Sequence, residues 1–143
     1  MMEEMTPGTA YRLRKHADYQ LVYKRGRKQF AKNIAYFHAL RPDGRRSETE
    51  GPRVGLTVPK ALGGAVDRNR IKRRLRVAVR RNLDLLSAPL DVILNPKRVV
   101  KEMDFAQLER EVATIFKAVQ KAVGQPRPQQ VQGAAEQPVE RGR

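Results

Sequence analysis

The sequence predicts an α/β (α+β) two-layer sandwich with a roughly four-stranded sheet. Its 143 residues are enough for one domain, and the 40% of hydrophobic residues are enough for one modest core. Short apolar runs with strand character alternate with segments of helical periodicity. Together these observations give the element order α-β-β-β-α-β-α, and no internal repeat is visible.

The first helix is predicted from His16 to Arg25. Tyr19, Val22 and Tyr23 recur at helical spacing, and Gly26 provides a stop. No good capping residue precedes this helix, so its N-terminus is expected to be weak.

Four segments have the composition of strands. Three of these segments lie before residue 60 and the fourth starts at residue 90. The turn signal Pro42-Asp43-Gly44 lies between the second and the third. We expect Asn95-Pro96 to end the fourth strand. The predicted strands are Gln29–Ala31, Ile34–Leu40, Val54–Val58 and Leu90–Leu94.

The last helix is predicted to start at Asp104, a good capping residue with Gln107 three positions on. Its apolar residues follow one stripe, which we assign to the core and not to a ligand site. The stripe consists of Leu108, Val112, Ile115, Phe116, Val119 and Val123.

The chain divides into one domain and two tails. Residues 1–10 are expected to be a flexible N-terminus and residues 11–123 the folded domain. Residues 124–143 are rich in Gln, Pro and Gly and poor in bulky apolar residues, so they are predicted to be disordered.

The charge balance points to a polyanionic partner. Lys and Arg total 30 against 15 Asp and Glu, for a formal net charge of +15. There is no cysteine, which excludes disulfides and thiolate metal sites. No signal peptide or membrane-spanning run is evident, so a cytoplasmic protein without a membrane partner is expected.

The segment from Asp67 to Asn82 concentrates this charge in one predicted helix. It contains eight basic residues and one acidic residue, a net of +7. Helical geometry groups Ile71, Leu75, Ala78 and Val79 on one face, which is predicted to dock on the sheet. The opposite face forms a polar stripe made of Asn69, Lys72, Arg73, Arg76 and Arg80.

Two other interpretations of this helix are weaker. A merely solvated face usually mixes charge signs, whereas Lys72–Arg76 and Arg76–Arg80 are like-charged pairs four residues apart. A membrane-surface helix needs bulky apolar anchors, which this apolar face lacks. Arginine outnumbers lysine seven to one here, which favours phosphate and base edges. The helix is therefore predicted to bind nucleic acid.

The stretch VGLTVPKALGGAVDRNRIKRRLR, from Val54 to Arg76, resembles the protein subunit of bacterial ribonuclease P. The upstream RLRKHADYQLVYKRG and the strand at Leu90–Leu94 extend the resemblance to about Tyr11–Ala122. It implies a left-handed β-α-β crossover, whereas the general rule for parallel crossovers predicts the right-handed form.

This resemblance implies a protein that binds the catalytic RNA of ribonuclease P and the 5′ leader of precursor tRNA. It would assist endonucleolytic removal of the leader, while the RNA performs the chemistry with Mg²⁺ that the RNA mainly holds. The protein alone would then require no cofactor. No catalytic residue, protein-held metal or protein partner is predicted, because the carboxylates are scattered and no Ser-His-Asp pattern is present.

The resemblance also assigns residues to two binding surfaces. Those expected to contact the RNA subunit are Arg68, Asn69, Arg70, Lys72, Arg73 and Arg76, with Arg80 on the same stripe. Those expected to line the cleft for the leader are Tyr19, Tyr23, Tyr36, His38 and Lys60. In this family a tyrosine often stands at the place of His38.

Two alternatives remain open at this point. A structural RNA-binding protein of the ribosomal type needs only the basic helix and no aromatic cleft. A DNA-binding regulator needs a second helix packed before the recognition helix, whereas a strand and a glycine-containing loop precede this one.

Overall fold

A computed structural model describes residues 11–41 and 51–124. The predicted flexible N-terminus, the turn at residues 42–44 and nearly all of the predicted tail lie outside the described residues. The domain limits at 11 and 123 therefore stay a prediction.

The predicted order of helices and strands is confirmed. The three helices are α1 (His16–Arg25), α2 (Ala65–Asn82) and α3 (Phe105–Gly124). The four strands are β1 (Gln29–Phe30), β2 (Ile34–Leu40), β3 (Arg53–Leu56) and β4 (Leu90–Pro96). Three short 3-10 turns were not predicted; they are η1 (Lys60–Leu62), η2 (Leu83–Leu85) and η3 (Arg98–Lys101).

Three predicted boundaries are wrong by about two residues. Strand β3 ends at Leu56 and not at Val58. Helix α2 begins at Ala65 because Gly64 is extended and its carbonyl accepts the Arg68 amide at 2.9 Å, which closes the first turn. Strand β4 continues through Pro96, which pairs with Ile34 as the last strand residue. Proline is tolerated there because a strand end requires one donor fewer.

The sheet has the strand order β1-β2-β4-β3. Strand β2 is antiparallel to both β1 and β4, while β3 is parallel to β4. Residues 11–13 extend the β3 side of the sheet, since the Leu13 amide donates to the Val54 carbonyl at 3.0 Å. The last strand of the chain therefore lies inside the sheet, between two earlier ones.

The crossover from β3 through α2 to β4 is left-handed. Leu94 points its side chain into the core under α2 and its carbonyl to the Thr57 amide beyond β3, at 3.0 Å. For an L-residue in an upward strand, a side chain directed at the viewer places its own carbonyl on the right. When the sheet is viewed from α2 with β3 and β4 pointing up, β3 thus lies to the right of β4. The connection from β3 through α2 to β4 therefore passes from right to left in front of the sheet, which is the left-handed form. The hand implied by the resemblance is confirmed, against the general rule.

Both faces of the sheet are covered by helices, which refines the predicted sandwich. Helices α2 and α3 pack on one face, in a core that contains Leu90, Val92 and Leu94 of β4. Helix α1 packs on the other face, where Val22 contacts a smaller cluster around Ile93. We call these the α2/α3 face and the α1 face.

The apolar side of α2 docks as predicted. Ile71, Leu75, Ala78 and Val79 are all at most 1% exposed. Burying a large aliphatic side chain contributes about 1.5–3 kcal/mol, which offsets the repulsion among the cations of this helix. The polar stripe is thereby fixed toward solvent.

A buried ionic network ties α1 to the sheet. Asp91 accepts two hydrogen bonds from Arg53, from Nε to Oδ1 and from Nη2 to Oδ2, each at 2.9 Å. Arg53 also reaches Asp18 of α1 at 3.2 Å, and Arg41 reaches Asp91 at 2.8 Å. The two carboxylates are only 4% and 5% exposed. Paired, charge-assisted geometry of this kind is what allows such groups to be buried.

Candidate nucleic-acid interface

The polar stripe of α2 presents cations that nothing in the described parts of the chain neutralises. Asn69, Arg73 and Arg80 are exposed, while Lys72 and Arg76 are half-buried along the same side. None of the four cations forms an ion pair with a described acidic residue. Such a surface favours binding of several phosphates at once.

The two arginines at the start of α2 differ in their surroundings. The Nε of Arg68 donates to the Gly63 carbonyl at 3.2 Å, so its side chain folds back on the preceding loop. Gly63 has a φ of 134°, which favours glycine, and the loop turns there into the helix. Arg70 is exposed. The predicted RNA-subunit contacts thus extend along α2 from Arg68 near its start to Arg80 in its last turn.

Two further arginines of α2 serve packing instead. The guanidinium groups of Arg74 and Arg81 lie 5.8 and 5.4 Å from the centre of the Phe105 ring in α3. Arg74 also donates to the Met103 carbonyl, and Arg81 lies 3.5 Å from Glu109. Cation–π contacts of this kind hold the two helices together. Charge alone did not distinguish these residues from the stripe.

Tyr19 lies directly over β3 on the α1 face. A Cβ atom at Gly55 would meet the Tyr19 hydroxyl at 2.4 Å, so the glycine makes room for the ring. The hydroxyl donates to the Leu56 carbonyl at 3.4 Å. Burial raises the pKa of Tyr19, and the positive charge of Arg76 acts in the opposite direction.

Tyr23 forms the second aromatic wall on this face. Its hydroxyl is 3.1 Å from the Thr57 hydroxyl, and its ring meets Phe37 of β2 edge-on at 4.8 Å. Both rings are half-buried, so each keeps some accessible surface. Tyr19, Tyr23, Phe37 and Thr57 therefore lie together on the α1 face, where the cleft for the leader is predicted, and we call this group the tyrosine cleft.

The predicted placement of Tyr36 and His38 in this cleft is wrong. The two rings do share a face, as strand alternation predicted, and they stack at 6.4 Å. That face is the α2/α3 face, because Tyr36 belongs to the large core and pairs with Leu94. Tyr36 is 7% exposed, which leaves almost no ring surface for a base. Phe37, which stands between Tyr36 and His38 in the sequence, lies with Tyr19 and Tyr23 instead.

His38 is largely shielded from solvent and does not offer an accessible ring for a base. Burial lowers the pKa of its imidazole, so the ring is neutral at neutral pH. Its Nδ1 atom is buried and has no hydrogen-bond partner among the described residues. His38 therefore lies partly buried beside Tyr36 on the α2/α3 face.

Asn95 lies on the same face of the sheet as the tyrosine cleft, and the contact predicted for Lys60 stays a prediction. Lys60 is exposed at the start of η1, three residues after Thr57. Asn95 follows Leu94, so alternation places it on the α1 face, where it pairs with Ala35. Its Oδ1 atom is buried without a partner in the described residues. The two-residue period of β2 and β4 separates Phe37 from Tyr36 and Asn95 from Leu94, but it does not show which face of the sheet α1 covers.

No protein metal centre is found in the described residues. Within residues 11–41 and 51–124, no group of three or more His, Cys, Asp or Glu side chains is arranged to hold a metal ion. Asp18 and Asp91 are held instead by arginines. The helices described here include none that is long and apolar enough to cross a membrane.

A family model described as Ribonuclease P matches residues 8–120. The chain belongs to the ribonuclease P protein family. Curated relatives agree: a ribonuclease P protein component from Finegoldia magna is 37% identical over 98 residues, which cover 68% of this chain and 80% of the relative. Another ribonuclease P protein component, from Syntrophus aciditrophicus, is 32% identical over 115 residues, which cover 80% of this chain and 92% of the relative. A component of the tRNA-processing ribonuclease P is thus supported.

Solved structures of ribonuclease P proteins share the fold. The protein from Staphylococcus aureus superimposes with a TM-score of 0.62 at 28% identity, covering 76% of this chain and 94% of that one. The protein from Thermotoga maritima gives 0.61 at 23% identity, covering 75% and 96%, a similarity that bears on the fold alone. The RNA contacts of individual residues stay predictions.

Proposed function

We propose that this ribonuclease P protein binds the catalytic RNA subunit and the 5′ leader of precursor tRNA. In this way it assists endonucleolytic removal of the leader during tRNA 5′ maturation. The observation that carries the proposal is the unneutralised cationic stripe of α2, held outward by a fully buried apolar side. Membership of the family supplies the identity of the RNA.

The α2 stripe is the proposed anchor on the RNA subunit. Arginine guanidiniums donate paired hydrogen bonds to phosphate oxygens, and Asn69 offers both a donor and an acceptor. Because phosphate contacts fix position without reading sequence, such a surface suits a structured RNA partner. The residues proposed to make these contacts are Arg68, Asn69, Arg70, Lys72, Arg73, Arg76 and Arg80.

The tyrosine cleft is the proposed site for the single-stranded leader. Half-exposed aromatic rings stack on unpaired bases without requiring a particular sequence. Tyr19, Tyr23 and Phe37 provide such rings on one face, and the exposed Lys60 adds a cation for the backbone. Leaders differ in sequence, so sequence-tolerant stacking fits this substrate.

Hydrolysis itself is assigned to the RNA subunit. Mg²⁺ would supply a bound water nucleophile and charge stabilisation there, and the RNA would mainly hold it. The described protein residues fit this division of labour, since their buried carboxylates are paired with arginines. The protein's own contribution is to bind RNA, orient the leader and lower electrostatic repulsion between the two RNAs.

Reconstitution with the cognate RNA subunit at low Mg²⁺ tests the proposal. Added protein should raise the rate of leader cleavage, and Tyr19→Ala with Tyr23→Ala should reduce affinity for precursor tRNA while RNA-subunit binding persists. If wild-type protein binds the RNA but leaves cleavage unchanged, a purely structural RNA-binding role replaces the proposal. No binding to the RNA would refute both.

A further inference from the structure

A second basic segment lies outside the α2 stripe. Residues 24–32, KRGRKQFAK, contain five basic residues and no acidic one. All five are exposed, and none is ion-paired with a described carboxylate. The segment runs from the end of α1 into β1. The five are Lys24, Arg25, Arg27, Lys28 and Lys32.

Phe30 stands in the middle of this segment with 69% of its surface exposed. It pairs with Ala35 of β2, so its side chain lies on the α1 face with that of Phe37. Diagonal neighbours on adjacent strands are about 7–8 Å apart, within reach of aromatic side chains. Phe30 therefore adjoins the tyrosine cleft on the same side of the sheet.

Lys28 places a cation against this ring. Its Nζ atom is 5.5 Å from the centre of the Phe30 ring. A base stacked on the ring brings a phosphate near, and a neighbouring ammonium group favours that arrangement.

The basic residues of this segment could simply protect the edge of the sheet from pairing with other chains, but that role does not explain the exposed Phe30. Strand β1 is an edge strand, and lysines on edge strands discourage pairing with other chains. An exposed phenylalanine acts against that protection. The combination of ring and cations matches the stacking platforms with basic borders that bind single strands.

We propose that Phe30, with Lys28, forms an additional stacking position for single-stranded RNA, beyond the tyrosine cleft. The occupant is the part of the 5′ leader farther from the cleavage site, which continues from Tyr23 and Phe37 across Ala35. This inference rests on the proposed function, because it extends the same leader site.

The test uses reconstituted holoenzyme and precursor tRNAs with leaders of about two and about ten nucleotides, below and within the usual length bound by such platforms. Phe30→Ala should weaken binding of the long-leader substrate about fivefold or more, the loss expected for one stacked base. Binding of the short-leader substrate should not change. Phe30→Tyr, which keeps the ring, should restore wild-type affinity.

Val99→Ala is the matched control. Val99 is also an apolar residue with 47% of its surface exposed, but it lies in η3, outside the basic segment. This substitution should change the binding of neither substrate. Equal losses for both leaders, or no loss for either, would overturn the inference. A wild-type holoenzyme that failed to cleave either substrate would instead refute the proposed function, so the two failures are distinguishable.

Discussion

Gly55 is the residue on which the position of Tyr19 depends. Because an added methyl group would meet the Tyr19 hydroxyl at 2.4 Å, Gly55→Ala should displace the ring and destabilise the fold by about 1–3 kcal/mol. We expect lower affinity for precursor tRNA with unchanged affinity for the RNA subunit. Urea unfolding and the two binding constants measure these effects.

Gly64→Ala is the control for this substitution, since nothing lies within 4 Å of a Cβ atom there. It should leave the affinity for precursor tRNA at the wild-type value. Wild-type affinity in Gly55→Ala as well would separate Tyr19 from leader binding.

His38 should make stability depend on pH. Burial lowers its pKa in the folded state, so below pH about 6.5 the unfolded chain binds more protons and stability falls as pH falls. His38→Gln should remove that part of the slope. Urea unfolding between neutral and mildly acidic pH measures it; an unchanged slope in His38→Gln would contradict the placement of this ring.

At the scale of elements, α2 should govern the salt dependence of RNA binding. Replacing Arg73 and Arg76 together with alanine should flatten the slope of log affinity against log salt by about 1–2 units, if each meets one phosphate. Lys117→Ala removes an exposed cation from α3 and should leave the slope unchanged. Filter-binding titrations across salt concentrations give the slopes. Equal slopes in all variants would place the phosphate contacts elsewhere.

Elements were predicted well because they depend on local periodicity. The spacing of Ile71, Leu75, Ala78 and Val79 was sufficient to identify the docked side of α2. Alternation along β2 correctly grouped Tyr36 with His38, but it gives two equivalent faces. Which face α1 covers depends on tertiary packing, and that is why Phe37 was missed. The roles of Arg74 and Arg81 likewise depend on Phe105 of another helix.

At the scale of the whole molecule, the buried network around Asp91 joins elements far apart in sequence. Arg53 and Asp91 are 38 residues apart, and no local pattern predicts that pair. Asp91→Asn should destabilise the fold by about 3–5 kcal/mol, because it removes the buried negative charge that both Arg41 and Arg53 contact.

Asp67→Asn is the matched control for Asp91→Asn. Its partner Lys101 lies at 3.4 Å in a more exposed setting, so the expected loss is at most about 1 kcal/mol. Chemical denaturation of both variants measures the difference. Similar losses would mean that the network around Asp91 contributes no more than a surface pair.

The central position of β4 also determines when the fold can form during synthesis. Ile34 cannot pair with Pro96, its partner in the sheet, until residue 96 has been synthesised. Strand β3 likewise has no neighbouring strand until β4 has been synthesised. Chains emerge from the ribosome N-terminus first, and non-local pairing is slow. The arginine-rich helix therefore leaves the ribosome before the strand on which it docks. A nascent chain that stops short of Leu90 has the charge to attract RNA but lacks the central strand on which the charged helix docks.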